Sequence, residues 1–185
     1  MGTIVAVASE GGAVIAGDTR DVDGGTVTSA RLGRVFDFGN AGAGVVGAAG
    51  DIQTFGRRLE SELETWRLER GGENELDALA RIAARVARET TVDAVVGARD
   101  SDEGARLREV GADGRVVEGP ETALGSGAET ALGRLEAIDR GRDVDDLVSA
   151  ARDTVGLVME RDATTGGDID VWSLSSDSST RPDDH

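Results

Sequence analysis

The 185-residue chain contains no cysteine, no lysine and no tyrosine, and it has a single histidine. Without cysteine it can form neither a disulfide nor a thiolate zinc site, and His185 alone cannot complete a site of another kind. No signal peptide is visible, and the longest apolar stretch is too short and too rich in glycine to cross a bilayer. These absences predict a cytoplasmic protein with no membrane partner.

The charge of the chain is strongly one-sided. All 20 basic residues are arginine, against 36 aspartate and glutamate residues, which gives a formal net charge of −16. Such a chain repels itself in dilute buffer, whereas molar salt shortens the Debye length to about 3 Å and screens the repulsion. Acid-rich, lysine-free surfaces resemble those of proteins from halophiles, so we interpret the charge as an adaptation to salt. Nucleic acid is not an expected partner, because no basic stripe could neutralise its phosphates.

Apolar periodicity predicts blocks of strands and blocks of helices. The segments TIVAVA and AVIAGD flank the turn SEGG as a hairpin, and further strands are expected in TVTSARLGRVFDF, VDAVVGAR, ARLREV, GRVVEG, TALGSG and DIDVWSL. Apolar residues three and four apart predict helices over residues 51–70, 75–90, 126–140 and 144–161. Two sheets, each covered by a helix pair, would bury every apolar face. The expected fold is α+β, a four-layer α-β-β-α sandwich over residues 1–174, followed by an acidic disordered tail over 175–185.

Several separated motifs carry a family resemblance. TIVAVASEGGAVIAGD, RVFDF, VVGAAGDIQ, LGSG and ERDATTGGDIDVW occur in the order found in bacterial HslV and proteasome β subunits. The chain resembles this family over roughly residues 2–174, which implies the amino-terminal-nucleophile (Ntn) hydrolase fold. In active members the first residue of the mature chain is a threonine, whose hydroxyl attacks a peptide carbonyl while its own α-amine acts as the base. A lysine lowers the pKa of that amine, an aspartate orients the lysine, and a glycine N–H stabilises the oxyanion.

The two residues on which that chemistry depends are replaced in this sequence. The resemblance places Gly2 at the nucleophile and Arg34 at the lysine, and an arginine keeps its proton because its pKa lies above about 12. We therefore expect a catalytically inactive subunit with a structural or regulatory role, its partners being like subunits in a ring or other proteasome subunits. Five further residues match the family's site: Asp18 the lysine-orienting aspartate, Gly47 the oxyanion glycine, Ser126 the serine beside the nucleophile, Asp162 the second aspartate, and Thr165 the hydroxyl residue after it.

Some of these residues have a simpler interpretation. Asp18 could begin a turn and pair with Arg20, and Ser126 could be the N-cap of the third helix. The resemblance also implies a structural monovalent or divalent cation at the end of the fourth helix, which would involve Met159, Asp162 and Thr165. No other cofactor is expected.

Thr3 offers an alternative nucleophile if Met1 and Gly2 are removed as a short propeptide. The chain would then be an active threonine-type endopeptidase or amide-transfer enzyme that acts on a polypeptide. The family's spacing to Asp18 fits Gly2, however, and strand alternation puts Thr3 on the same face as Val5 and Val7, which are expected to point into the core. Only a bulge in the hairpin would turn Thr3 toward the cleft.

Two other motifs indicate different functions. GAGVVG, from Gly42 to Gly47, matches the dinucleotide pattern GxGxxG, which makes a nucleotide-binding enzyme a minor alternative. The pattern should lead directly into a helix of a wound parallel sheet, and the block order argues against that fold. DVDGG hints at a calcium loop, but the glutamate that such a loop requires is missing.

Overall fold

The computed structural model describes residues 1–70, 74–101 and 103–177. Within these ranges the chain forms eleven strands and four helices. The strands are β1 Thr3–Ala8, β2 Gly12–Asp18, β3 Asp21–Asp23, β4 Thr26–Ser29, β5 Val35–Asp37, β6 Gly42–Val46, β7 Asp93–Asp100, β8 Gly104–Val110, β9 Val116–Glu118, β10 Glu121–Gly125 and β11 Ile169–Ser175. The helices are α1 Ala49–Arg70, α2 Glu75–Thr90, α3 Ala128–Leu135 and α4 Val144–Arg161. None of the helices in this part of the chain is long and apolar enough to cross a membrane.

The elements stack in four layers. One antiparallel sheet has the order β10-β1-β2-β11 and the other the order β5-β6-β7-β8-β9, while β3 and β4 form a separate hairpin. Helices α3 and α4 bury their apolar face on the first sheet, and α1 and α2 bury theirs on the second. A third apolar cluster fills the space between the two sheets. The predicted α-β-β-α sandwich is confirmed.

Strand β1 lies in the centre of the first sheet and is buried on both faces. Val5 and Val7 pack toward α3 and α4, whereas Ile4 and Ala6 lie in the cluster between the sheets. This is the alternation expected from the sequence, and it places the side chain of Thr3 on the helix side of the sheet.

Strand β6 was not expected from the sequence, because glycine fills two of its three inward positions. A Cβ on Gly42 would overlap the indole ring of Trp172, and one on Gly44 would lie 2.6 Å from a methyl carbon of Ile15. Gly42 and Gly44 of the GAGVVG motif therefore admit large side chains from the facing sheet. Both lie within an antiparallel strand and Gly47 follows that strand, which is not the setting of a dinucleotide loop.

Several element boundaries differ from expectation. Helix α3 spans only Ala128–Leu135 and is shorter at both ends than the predicted 126–140. Helix α1 begins two residues early, at Ala49. Strand β11 runs to Ser175, one residue beyond the predicted strand end at 174. The rest of the predicted tail from residue 178, including His185, lies outside the described residues.

Candidate active site

Gly2 precedes β1 and is buried in a backbone conformation that suits glycine. Its φ of 71° lies in the left-handed region, which β-branched residues rarely adopt. A Cβ at this position would lie 2.5 Å from Nε and 2.6 Å from Cζ of Arg34, and 2.6 Å from Oδ1 of Asp18. The guanidinium of Arg34 thus occupies the space that a side chain on residue 2 would need.

Arg34 lies between β4 and β5 with its side chain fully buried. Its Nη2 donates to the carbonyl oxygen of Arg20 at 2.7 Å and lies 3.7 Å from Oδ1 of Asp21, while its Nε lies 3.6 Å from Oδ1 of Asp18. Nε and Nη1 have no hydrogen-bond partner among the described residues. Burial lowers the pKa of Arg34, and the two aspartates oppose that shift.

Asp18 ends β2 and is also fully buried. Its carboxylate accepts hydrogen bonds from the backbone N–H groups of Thr3 at 2.8 Å, Gly166 at 2.7 Å and Arg20 at 3.3 Å. Burial raises the pKa of Asp18, although these N–H groups and the charge of Arg34 lower it in part. The simpler interpretation of Asp18 holds in part: its Oδ2 accepts the N–H of Arg20, two residues later, but the cation beside its carboxylate is Arg34 and not the guanidinium of Arg20.

Thr3 is fully buried, and its hydroxyl is held on the helix side of β1. Oγ1 accepts from the N–H of Gly127 at 3.1 Å and lies 2.7 Å from Oγ1 of Thr165. Since the Thr165 hydroxyl donates to Asp162 at 2.7 Å, the Thr3 hydroxyl is left to donate to Thr165. The proton of Thr3 is therefore committed to a chain that ends on a carboxylate, away from Arg34.

Asp162 caps the carboxyl end of α4 and collects the hydroxyls of this region. Oδ1 accepts from the N–H and hydroxyl of Thr164 at 2.9 and 2.8 Å, and Oδ2 accepts from the hydroxyls of Ser126 and Thr165. Burial alone would raise the pKa of Asp162, but the bonds from Ser126, Thr165 and Thr164 outweigh it and lower the pKa to about 2. The group is a stable carboxylate.

Ser126 lies in the turn between β10 and α3. Its N–H donates to the carbonyl oxygen of Gly2 at 3.1 Å, and its hydroxyl lies 3.4 Å from the same atom and also bonds Asp162. The interpretation of Ser126 as a helix N-cap is wrong, because the N-cap of α3 is Gly127 and the Ser126 hydroxyl is engaged elsewhere. Ser126 instead fixes the segment before β1 to the end of α4.

Gly47 follows β6 and stands shortly before α1. A Cβ here would lie 2.9 Å from Cγ1 of Val92, so packing provides a reason for glycine at this position. Its role as an oxyanion donor stays a prediction.

At the end of α4, several oxygens that could hold the predicted cation already accept hydrogen bonds, and the cation itself stays a prediction. The side chain of Met159 packs with the α3–α4 core, and the carbonyl oxygen of Asp162 accepts from the N–H of Thr165 at 3.1 Å. The carbonyl oxygens of Ala163 and Thr165 face the guanidinium of Arg20, at 3.0 and 3.5 Å from Nη1. In the described part of the chain, no three acidic, histidine or cysteine side chains gather, so a cation at this turn would depend on backbone carbonyl oxygens.

Sequence reasoning gave Thr164 and Gly166 no role in this region, and it considered Arg20 only as a partner of Asp18. Thr164 lies between Asp162 and Thr165, which both match the family's site residues, and this position is only weak evidence that Thr164 belongs to the site. Nothing in the sequence shows that Arg20 reaches the turn after α4, because the contact spans 143 positions.

Comparison with known proteins now gives the family. A sequence model of the proteasome subunit family matches residues 1–174. The chain is 31% identical over 181 residues to proteasome subunit beta 1 of Staphylothermus marinus, a match that covers 94% of this chain and 84% of that protein. It is 33% identical over 181 residues to proteasome subunit beta 1 of Thermococcus gammatolerans, covering 94% and 89%. It is also 30% identical over 183 residues to proteasome subunit beta of Halomicrobium mukohataei, covering 95% and 76%. These matches run through the whole sandwich, so Gly2 and Arg34 lie within the matched region. The chain belongs to the proteasome family, among its β subunits.

Proposed function

We propose that this chain is a β-type proteasome subunit without peptidase activity, which serves as a structural or regulatory member of a ring or another oligomer. The observation that carries the proposal is the fit between Gly2 and Arg34. Residue 2 offers no hydroxyl, and a buried guanidinium fills the space where one would stand.

The remaining hydroxyls near Gly2 are poorly suited to replace the nucleophile. Ser126 bonds Asp162, but a carboxylate with a pKa of about 2 is too weak a base to activate a serine near neutral pH. The positive charge of Arg34 is fixed, so it cannot take part in the proton exchange that a lysine supports. The site keeps the framework of a hydrolase and uses it to hold the amino end of β1.

The expected partners follow from the family. Proteins named as proteasome subunits act within assemblies, and we propose that this chain packs with like subunits or with other proteasome subunits in the cytoplasm. Its charge of −16 favours assembly at high salt, where repulsion between like-charged copies is screened.

The test is a comparison of mass and activity on the protein purified in high salt. We expect a chain that retains Gly2, no hydrolysis of fluorogenic peptides, and no added mass after treatment with a threonine-directed covalent inhibitor. The control is a proteasome particle with active β subunits, treated in the same way. Covalent addition at any residue of this chain, together with peptide hydrolysis, would overturn the proposal.

A second candidate is an active threonine peptidase or amide-transfer enzyme that uses Thr3 after removal of Met1 and Gly2. Two contacts favour it. The Gly2 carbonyl oxygen accepts from the N–H of Ser126 at 3.1 Å, and the nitrogen of Thr3 donates to Asp18, whose carboxylate would also hold a free amine. Against it, the Thr3 hydroxyl is fully buried and points toward α3 and α4.

Intact mass separates the two candidates. The active enzyme would be favoured if the native chain and the Thr3→Ser variant both begin at residue 3 while the Thr3→Val variant keeps the residues before it. A chain that begins at Met1 or Gly2 in all three forms would dispose of it. For the nucleotide-binding alternative, we expect no melting shift with NAD or ATP.

A further inference from the structure

The turn after α4 presents carbonyl oxygens to a cation. A helix carries partial negative charge at its carboxyl end, and the oxygens of Ala163 and Thr165 lie just beyond the end of α4. The guanidinium of Arg20 donates from Nη1 to Ala163 at 3.0 Å and lies 3.5 Å from Thr165. The positive group at this helix end is therefore a side chain of the protein itself.

Gly166 allows Arg20 to approach the turn. A Cβ on Gly166 would lie 2.5 Å from Nη2 and 2.7 Å from Nε of Arg20, so the guanidinium lies directly on the backbone of this glycine. The main chains are joined as well, because the N–H of Arg20 donates to the carbonyl oxygen of Gly166 at 2.9 Å. Side chain and backbone of Arg20 thus hold the same turn from two directions.

The same residue also contacts the buried ion pair of the candidate site. The carbonyl oxygen of Arg20 is the hydrogen-bond acceptor of Arg34, and Gly166 donates its N–H to Asp18 at 2.7 Å. A displacement of the turn would therefore disturb both members of the Asp18–Arg34 pair.

We propose that Arg20 is the built-in cation of the 162–166 turn, and that it supplies the positive charge which the family resemblance would assign to a metal ion. A divalent ion bound to the Thr165 carbonyl would lie beside a guanidinium, and like charges at that distance repel strongly. The turn, and through it the Asp18–Arg34 pair, is held without metal. Arg20 is a positioning residue, since it contacts no reacting group.

Metal content and thermal melting of the full chain test this proposal, at constant ionic strength in potassium chloride. We expect native mass spectrometry to find no stoichiometric metal. We also expect the melting temperature to be unchanged by EDTA, Mg²⁺ or Ca²⁺. A bound metal whose removal lowers the melting temperature would overturn the proposal, whatever the variants do.

The variant Arg20→Ala is compared with Arg31→Ala, which removes the same charge from an exposed side chain in the same region. We expect Arg20→Ala to lower the melting temperature by about 3 °C or more, and Arg31→Ala to lower it by less. Low millimolar guanidinium should raise the melting temperature of Arg20→Ala. The melting temperatures of the native protein and of Arg31→Ala should stay the same or fall. Equal melting of the two variants, or no gain from guanidinium, would contradict the proposal. If Arg20→Ala does not fold, Arg20→Gln replaces it with the same expectations.

Discussion

The side chains at positions 2 and 34 compete for the same space, so a threonine at position 2 does not fit together with the arginine at position 34. A threonine at position 2 would have to adopt a left-handed φ, and it would meet a buried guanidinium that cannot move away without breaking the Asp18–Arg34 ion pair. The reverse also holds, because only a residue without Cβ leaves room for the guanidinium. One substitution alone therefore should not restore the site of an active relative.

We predict that Gly2→Thr lowers the free energy of unfolding by about 2–4 kcal/mol, as the sum of backbone strain and overpacking. The matched control is Gly39→Thr, because Gly39 has a φ of 81° with no atom within 4 Å of the added Cβ. It should show the backbone strain alone, at about 1–2 kcal/mol. Urea unfolding at fixed high salt measures both.

Coupling between the two positions completes this test. Arg34→Lys shortens the head group, so Gly2→Thr should cost at least about 1 kcal/mol less in the Arg34→Lys background than in the native one. Additive losses would show that Arg34 does not fill the space at residue 2. The double variant is also the natural starting point for restoring peptidase activity.

Asp162 makes stability sensitive to acid. Its pKa of about 2 in the folded protein lies below the value of about 3.9 of an unfolded aspartate, so the folded state favours the ionised form. The resulting stabilisation is complete above about pH 4 and is lost as the pH falls toward 2. We predict that Asp162→Asn lowers the melting temperature at pH 5 and that the difference from the native protein shrinks between pH 4 and 2. Glu60→Gln, an exposed substitution of equal charge on α1, should show no such convergence.

At the level of elements, helices with strong caps were predicted well. Helices α2 and α4 have the expected bounds, since Asn74 and Asp143 cap them by accepting N–H groups of the first turn. Helix α3 was predicted too long because apolar spacing continues to residue 138, although the last residues form only turns. Strand β6 was missed because propensity disfavours glycine in strands, and its glycines are explained only by the facing side chains of Trp172 and Ile15.

The candidate site could be predicted only in part. Asp18, Arg34, Asp162 and Thr165 were found through the order of motifs, which fixes their chain positions. Their contacts were not, because hydrogen bonds such as that between Thr3 and Thr165 join residues far apart in sequence. Alternation along β1 did predict the direction of the Thr3 side chain. Successive side chains of a strand point to opposite faces, and this does not depend on the tertiary packing.

The packing of β6 against β11 leads to a prediction about glycines. Gly42→Ala places a methyl group against the ring of Trp172 and should cost about 1–3 kcal/mol of unfolding free energy. Gly156→Ala adds the same group within α4, where no atom lies within 4 Å of the added Cβ, and should gain up to about 1 kcal/mol. Chemical denaturation of the two variants under one condition checks the sign. A loss at both positions would mean that backbone effects, and not the indole contact, decide the outcome.

For the molecule as a whole, charge opposes a compact fold. The chain carries −16 formal charges on one sandwich, and several arginines on the surface are engaged in ion pairs, such as those of Arg58 with Glu89 and Arg85 with Glu62. The unpaired carboxylates repel one another, and unfolding relieves that repulsion by increasing their separation. Salt should therefore stabilise the folded protein mainly by screening the repulsion between its carboxylates.

We predict that the melting temperature rises by several degrees between about 0.1 M and about 1 M potassium chloride, as the Debye length falls from about 10 Å to about 3 Å. Sucrose at matched osmolality serves as the control, because it stabilises by exclusion from the surface without screening charge. Most of the rise should occur below about 0.5 M, where screening changes fastest, and potassium and sodium should act alike. A rise that sucrose reproduces in full would show that preferential exclusion, and not screening, dominates. A stepwise rise specific to one cation would instead indicate a bound ion and would count equally against Arg20 as the cation of the 162–166 turn.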